Sequence, residues 1–361
     1  MDKRYFTVST TQGNYWKEIL RCCGAHDIYH LPEYHQLAEE QHGDQAELFV
    51  FEQGSTLIAM PLMIRRIDGL PGIGSSTLRD ATSVYGYPGP VSSLQNPSKD
   101  IIRLFNQSLQ DYFASREIIS AFSRLHPFLL DQACYLSGPD SQVVNVGTTV
   151  AIDLTLPVAV QEQHYRTNHK RDINKAKRLG LHCFHDQEWT HFDSFIHIYY
   201  ETMRRTEASD DYFFDRAYFR RLRELLGDKL HLFVAIHDDS VAGAGLFTVC
   251  NSIIQYHLGG TDSRCLQLAP TKLIFDTVRL WGARIGATVF HLGGGVGSRQ
   301  DSLFHFKAGF ASLQYQFKVW KAVTNADAYN ELVAQKHRWN LENGVPASEK
   351  SCFPAYRCSG W

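Results

Sequence analysis

The chain contains the same run of elements twice, and this internal repeat restricts its possible folds more than any other feature. An LFV tripeptide opens a β-hairpin in each half of the sequence. Further along, Tyr85 and Ile118 precede Tyr256 and Val289 by the same distance, 171 residues. Constant spacing over two elements indicates a duplicated unit, each copy being a hairpin, a strand, a helix and a strand.

This order of elements predicts an α/β (α+β) fold with two tandem subdomains, each a mixed sheet flanked by helices. The strand–helix–strand step is a right-handed crossover, which leaves its two strands parallel and adjacent. A ligand can bind where two such neighbours splay apart. We expect an N-terminal subdomain over residues 1–157, a C-terminal subdomain over 158–340 that includes a short helix pair, and a loosely ordered tail over 341–361.

Composition excludes several classes of protein. The net charge is only −2 over 361 residues, so binding to nucleic acid or membrane would need a local patch. No apolar run approaches 18 residues and the N-terminus lacks a signal peptide, so we expect a cytoplasmic protein without a transmembrane segment. The eight cysteines form no metal-binding spacing and are expected to be reduced thiols, and the 17 histidines suggest no metal site.

The segment from Thr288 to Phe310 is the first candidate for a functional site. A short β-branched and aromatic run leads into four glycines within HLGGGVG, where close backbone approach is possible. A helix then begins near Asp301 and ends near Gly309, and it carries Lys307 among three phenylalanines. A lysine in such surroundings either extends its amine to water or is held for a chemical purpose.

A basic segment links the two halves of the chain. Residues 158–180 have a helical pattern, and their positive side chains include Arg166, Lys170, Arg171 and Lys175. This is either a solvated connecting helix or a binding surface for phosphates or an RNA backbone.

A series of motifs in the second half resembles the FemAB-like transferases of the GNAT-like acyltransferase superfamily. In chain order these are ETMRRT, LFVAIHDDSVAGAGLFT, IIQYHLGGT, LAPTKLI, FHLGGGVG and DSLFHFKAGF. The resemblance implies two GNAT-like subdomains. It also implies transfer of an amino acid from aminoacyl-tRNA to an amine, with amide-bond formation and no cofactor beyond this co-substrate. The amine could belong to a peptidoglycan precursor, a peptide or a small molecule, and could be nucleotide- or lipid-linked.

The resemblance also assigns residues. The family's phenylalanine–lysine pair falls on Phe306 and Lys307, and its threonine–arginine helix end falls on Thr202 and Arg205. Its basic inter-domain helix corresponds to residues 166–178. The coiled-coil arm of some members is missing, and so is the acetyl-CoA signature of ordinary GNAT enzymes after the strand that holds Tyr256.

These features define candidate roles. Lys307 is expected to offset the oxyanion of a tetrahedral intermediate or to neutralise the leaving-group side. Asp301 could accept a proton or cap a helix, and His291 could be a general base or a structural histidine. Tyr256 could position the donor or pack in the core. The remaining candidates for binding substrate or its phosphates are Gly294 and Gly295, which could instead serve tight packing, the groove-wall residue Tyr85, and Arg205, Arg166 and Arg171.

Two other functions remain open from the sequence. One is an acyl-CoA-dependent N-acyltransferase of polysaccharide or natural-product biosynthesis. The other is a non-catalytic scaffold with a GNAT-like fold. The amino acid, the acceptor and the oligomeric state are not determined by these patterns.

Overall fold

The computed structural model describes residues 4–129, 131–136, 138, 140–346 and 352–358. Within them the strands are β1 (Tyr5–Ser9), β2 (Gln45–Gln53), β3 (Thr56–Arg66), β4 (Arg79–Thr82), β5 (Val91–Ser92), β6 (Ile118–Arg124), β7 (Ser141–Asp153), β8 (His182–His185), β9 (Leu230–His237), β10 (Ser240–Cys250), β11 (Ile253–Thr261), β12 (Val289–Gly293) and β13 (Gln314–Val323). The helices are α1 (Gly13–Cys23), α2 (Pro32–His42), α3 (Lys99–Ser115), α4 (Val158–Gln163), α5 (Thr167–Arg178), α6 (Phe192–Arg205), α7 (Arg216–Leu226), α8 (Pro270–Arg284), α9 (Ser302–Lys307) and α10 (Ala326–Glu342). None of these helices is long and apolar enough to cross a membrane.

The chain divides into two compact units whose limits differ from the expected ones. The first unit comprises residues 1–146 and 317–361, and the second comprises residues 147–316. The second unit starts before residue 158 because the end of β7 pairs with β12, as in the Ala151–His291 pair. Residues after 316 return to the first unit because β13 pairs with β6, with Val319 opposite Arg124.

In the first unit, a mixed sheet in the order β1-β2-β3-β4-β6-β13 supports one aromatic core. Ser98 begins α3 by accepting a hydrogen bond from the Ile101 amide, a common helix cap. The buried face of α3 then places Phe105 and Tyr112 against Phe49 of β2. Aromatic rings of this size bury large apolar areas, so this layer accounts for much of the unit's stability.

The C-terminal tail is partly ordered, in contrast to the expectation. Tyr356 is fully buried and donates a hydrogen bond to Asp80, which is also buried. Cys352 and Cys358 form a disulfide, which corrects the expectation that all eight cysteines are reduced thiols. Their Cα atoms lie 6.0 Å apart, within the normal range for such a bond. Residues 347–351 and 359–361 of the expected tail lie outside the described residues.

In the second unit, the sheet has the order β7-β12-β11-β10-β9-β8. Strands β11 and β12 are parallel neighbours joined through α8, which is the crossover that the repeat predicted. Phe247, Phe275 and Phe290 pack on one face of this sheet, between the strands and α8. The fold class is therefore confirmed, with a mixed sheet and flanking helices in each unit.

Histidines largely shielded from water predict acid sensitivity. Burial holds the pKa of His35, His231 and His257 at about 4 and the pKa of His30 well below its usual value. Unfolded, these groups titrate near pH 6.5, so between pH 6.5 and 4 the unfolded state binds more protons and the native state loses stability as pH falls. We expect the urea-unfolding free energy to decrease by about 1 kcal/mol or more per pH unit below pH 6. A His35→Gln variant should show a shallower slope, and a flat profile in the native chain would contradict this account.

Candidate active site

The candidate site begins where β11 and β12 separate. The two strands pair over three residue pairs, from Ile253 opposite Val289 to Gln255 opposite His291. Tyr256 is the first residue of β11 beyond this ladder. The register of β11 against β10 shifts immediately afterwards, as in a β-bulge, which redirects the rest of the strand. The splayed pair expected from the repeat is therefore present, and it opens at Tyr256.

Lys307 bridges the two diverging strands. Its Nζ donates a hydrogen bond of 2.8 Å to the Gly294 carbonyl, immediately after β12. The same Nζ lies 5.8 Å from the ring centroid of Tyr256 on β11, which is a cation–π distance. An ammonium group thus lies between the strand ends, at the position where a ligand inserted between them would meet it.

The Lys307 amine is buried rather than extended to water. The side chain is only 7% exposed, and burial lowers the pKa of Lys307 to about 8, with the charge of Asp301 opposing part of that shift. An ammonium group carries three donors, and one of them is used by Gly294. The amine can therefore hold or release a proton near neutral pH while donating to a second group.

Asp301 lies at the start of α9 and acts as its cap. Its Oδ1 accepts a hydrogen bond from the Phe304 amide and its Oδ2 accepts one from the Val296 amide, both at 2.9 Å. Burial alone would raise the pKa of Asp301, but these two backbone donors hold that pKa below its usual value. Of the two roles considered for this residue, the geometry corresponds to capping, since both oxygens are engaged by the backbone.

The glycine loop is packed too tightly for larger residues. A Cβ atom on Gly294 would lie 2.9 Å from the Thr148 carbonyl, and one on Gly295 would collide with Asp301. Gly293 has a φ of +79°, a conformation that favours glycine. Tight packing therefore explains Gly294 and Gly295, and the positive φ explains Gly293. Gly294 has an additional part in the site because its carbonyl holds Lys307.

Phe306 connects the site to the basic helix α5. Its ring packs against Phe275 and Phe310, and its carbonyl accepts a 2.9 Å hydrogen bond from Nε2 of His169. Gly309 follows directly, and a Cβ atom there would lie under 3.0 Å from the His169 ring. The absence of a side chain at Gly309 therefore lets α5 approach the end of α9.

We expect Gly309→Ala to destabilise the protein by about 1–3 kcal/mol, because the added methyl group forces the His169 ring away from Phe306. Urea-induced unfolding followed by circular dichroism would measure this effect. Gly74→Ala is the matched control, since a Cβ atom at Gly74 meets nothing within 4 Å. Equal stability of the two variants would contradict the proposed packing.

The structure does not bring His291 together with Lys307. Side chains alternate between faces along a strand, and Phe290 and Leu292 face the core that contains Phe304 of α9. His291 therefore points to the opposite face, where its Nδ1 lies 2.6 Å from Oε1 of Gln255. The structural interpretation of this histidine fits its position.

Thr202 and Arg205 fix the far end of β11. The Thr202 hydroxyl accepts a hydrogen bond from the Thr261 amide at 2.9 Å, and Arg205 donates to the Thr261 carbonyl at 3.1 Å and to Ser263 at 3.0 Å. Arg205 remains exposed at the surface, so its guanidinium has access to a ligand as well as to the strand end.

The basic residues of α5 do not all point freely into solvent. Arg166 donates to the His305 carbonyl at 3.0 Å and so helps to hold α9. Arg171 contacts its neighbour Asp172 at 3.3 Å, and Lys170 reaches the Gln163 carbonyl at 3.5 Å. Lys175 is exposed. Arg171 and Lys175 project from a helix that is anchored to the end of the Lys307 segment.

Tyr85 belongs to the first unit, where it is 54% exposed and lies beneath the guanidinium of Arg124, 5.9 Å from the ring centroid. Throughout the described ranges, no group of three or more His, Cys, Asp or Glu side chains could hold a metal ion.

Sequence reasoning did not identify a buried arginine that fixes α4 and Tyr165 against α8. Arg279 is 2% exposed and donates to Asp276 at 2.8 Å, to the Tyr165 hydroxyl at 2.8 Å and to Gln161 at 3.1 Å. In the sequence, Asp276 and Arg279 form a charged pair at positions i and i+3 of a helix whose other charged residues, Lys272 and Arg284, lie near its two ends. Such a pair can lie on the surface or in the core, and the sequence alone does not distinguish these positions.

Comparisons with known proteins concern the fold that carries this site. Residues 163–308 match the family described as an acetyltransferase (GNAT) domain. The crystal structure of FemX is similar over 91% of this chain and 99% of its own, with a TM-score of 0.70 and 10% sequence identity. In fold, this chain is similar to FemX, and within it residues 163–308 are similar to a GNAT domain.

Two other solved structures are similar to this chain over most of its length. The C-terminal domain of a putative lysylphosphatidylglycerol synthetase from Agrobacterium fabrum has a TM-score of 0.53 and 13% identity, covering 90% of this chain and 96% of its own. A tandem GNAT protein from the clavulanic acid biosynthesis pathway has a TM-score of 0.52 and 10% identity, covering 89% and 98%. A search of curated protein sequences gives no match. These likenesses concern the fold alone.

Proposed function

We propose that this protein transfers an amino acid from aminoacyl-tRNA to an amine acceptor and so forms an amide bond. The observation that carries the proposal is the buried ammonium of Lys307 between the separated ends of β11 and β12. The FemAB-like fold and the phenylalanine–lysine pair support an aminoacyl group as the cargo. A putative lysylphosphatidylglycerol synthetase among the similar structures supports a lipid-linked acceptor as one possibility to be tested.

In the proposed reaction the acceptor nitrogen attacks the ester carbonyl of the aminoacyl group. A carbon–nitrogen bond forms, the ester carbon–oxygen bond breaks, the nitrogen loses a proton and the ribose oxygen gains one. Lys307 supports this step by donating a hydrogen bond to the developing negative charge and a proton to the leaving ribose oxygen. It recovers a proton originating from the acceptor nitrogen, so it is regenerated in each cycle.

The surroundings of Lys307 suit this role. A charged group acts more strongly on a neighbouring charge in a site with little water than at a surface. The Gly294 carbonyl fixes the position of Nζ, and the Tyr256 ring lies beside it at a cation–π distance. Burial raises the pKa of Tyr256 to about 12, so its hydroxyl stays protonated as a neutral hydrogen-bonding group.

The basic helix α5 is the proposed contact for the RNA backbone. Arg171 and Lys175 project from it, while Arg166 and Lys170 lie at its start, next to α9. Arg205 is a further candidate for a phosphate contact. Because charged tRNA is made in the cytoplasm, the proposal places the reaction there, with aminoacyl-tRNA as co-substrate.

Incubation of the purified protein with a mixed pool of charged tRNAs and a panel of amines, followed by mass spectrometry, tests the proposal. We expect an aminoacylated amine whose formation is abolished by ribonuclease treatment of the tRNA. A parallel reaction with acyl-CoA tests the alternative donor, which the match to an acetyltransferase domain keeps open. Product formation with acyl-CoA and with no charged tRNA would contradict the proposal.

A further inference from the structure

The second unit has a cavity that does not include Lys307. It has a volume of about 620 Å³ and lies between the end of α5, the start of β8 and one face of α8. This volume falls within the range of small-molecule binding sites. Its lining does not include Lys307, Tyr256 or Phe306, so it is distinct from the proposed transfer site.

One wall of this groove is apolar. Leu181, Leu273, Leu280 and Ala283 line it, and the first two are almost fully buried. Cys183 also lines the groove, and burial raises the pKa of its thiol to about 12. A thiol that stays protonated behaves as a small apolar group, so this wall suits a hydrocarbon chain.

The charged side chains of the groove carry more positive than negative charge. Lys177, Arg284 and Asp276 line it. The negative charge of Asp276 is already neutralised by the buried Arg279, which donates a 2.8 Å hydrogen bond to its Oδ1. Lys177 contacts the other oxygen at 3.1 Å and is half exposed, and in the described part of the chain no carboxylate pairs with Arg284. An anion in the groove would therefore meet two cations and no uncompensated carboxylate.

We propose that this groove binds a small amphiphilic anion, with its apolar chain along the leucines and its negative head group at Arg284 and Lys177. The inference rests on the juxtaposition of an apolar wall with excess positive charge, and it is independent of the donor used in the transfer reaction. The groove is connected to the rest of the unit through Asp276, which binds Lys177 of α5 and the buried Arg279 of α8.

Isothermal titration of the whole protein with decyl phosphate, below its micelle concentration, tests the proposal. We expect saturable binding at one site per chain, and no binding of inorganic phosphate or of the uncharged decyl maltoside at the same concentration. Arg284→Ala should weaken binding about tenfold, as expected for the loss of a charge-assisted contact. Arg178→Ala is the matched control, because Arg178 is exposed at the end of α5 but does not line the groove.

Ala283→Trp should abolish binding because the indole ring would fill the groove. If that variant does not fold, Val158→Trp tests the same point from the exposed rim of the groove. The proposal would be overturned by absence of saturable binding, by equal affinity for decyl maltoside, or by unchanged affinity in both Arg284→Ala and the folded tryptophan variant.

Discussion

Replacing Lys307 with methionine should reduce the transfer rate by about 100- to 1,000-fold while leaving the protein folded. The loss follows from removing a positioned donor from the developing negative charge. Methionine fills a similar volume, and it removes a buried amine that is costly to desolvate. We therefore expect the free energy of unfolding to stay within about 1 kcal/mol of the native value, or to rise. Single-turnover transfer and urea unfolding would measure the two effects separately.

Lys318→Met is the matched control for the charge change. Lys318 lies on β13 in the first unit with a partly exposed side chain, and it has no part in the proposed site. This variant should transfer at the native rate. A Lys307→Met protein with native activity would show that Lys307 is a structural residue. A protein that is inactive only because it is unfolded would instead fail the stability measurement.

The second large effect is expected from Arg279→Leu, which should destabilise the protein by about 3–5 kcal/mol. The substitution removes the donors that satisfy Asp276, Tyr165 and Gln161 in the interior. It leaves a buried carboxylate whose remaining partners are Lys177 and, at 3.4 Å, the Tyr165 hydroxyl. Because Arg279 holds α4 and Tyr165, which precedes α5, and because its partner Asp276 binds Lys177 of α5, the variant should also lose affinity for tRNA. Chemical denaturation and a tRNA filter-binding assay would measure these losses.

A double replacement distinguishes the cost of an unpaired buried charge from the cost of losing the packing of the two side chains. In Asp276→Leu/Arg279→Leu both charges are absent, so part of the lost stability should return, because no buried charge remains unpaired. Arg284→Leu, near the exposed end of the same helix, should change stability by no more than about 0.5 kcal/mol. If Arg279→Leu were no less stable than Arg284→Leu, the network would not have the role described.

The sequence predicted the repeated architecture because hairpins, crossover helices and turn glycines are local patterns. It could not predict that β13 pairs with β6, since a strand of alternating residues does not identify a partner almost 200 positions away. The limits of the two units were missed for that reason. The order imposed on the tail by Tyr356 and Asp80 was missed because it also depends on a contact between distant parts of the chain.

The same contrast applies to the candidate site. Lys307 could be selected because a lysine among phenylalanines is unusual and matches a family motif, but its burial depends on the separation of two strands. The position of His291 was available from strand alternation, because Phe290 and Leu292 on either side are core residues. The Asp301 cap followed from its place before a helix. The Arg279 network required knowledge of which helix faces meet.

The pH dependence of single-turnover transfer tests the central claim, that Lys307 acts in its charged form, most directly. Burial lowers the pKa of Lys307 to about 8, so the native rate should fall as pH rises through about 8 and the amine loses its proton. In Lys307→Arg the side chain stays charged, and we expect a lower rate without this decline. An identical decline in both proteins, or a native rate that rises through pH 8 only when Lys307 is present, would contradict the account.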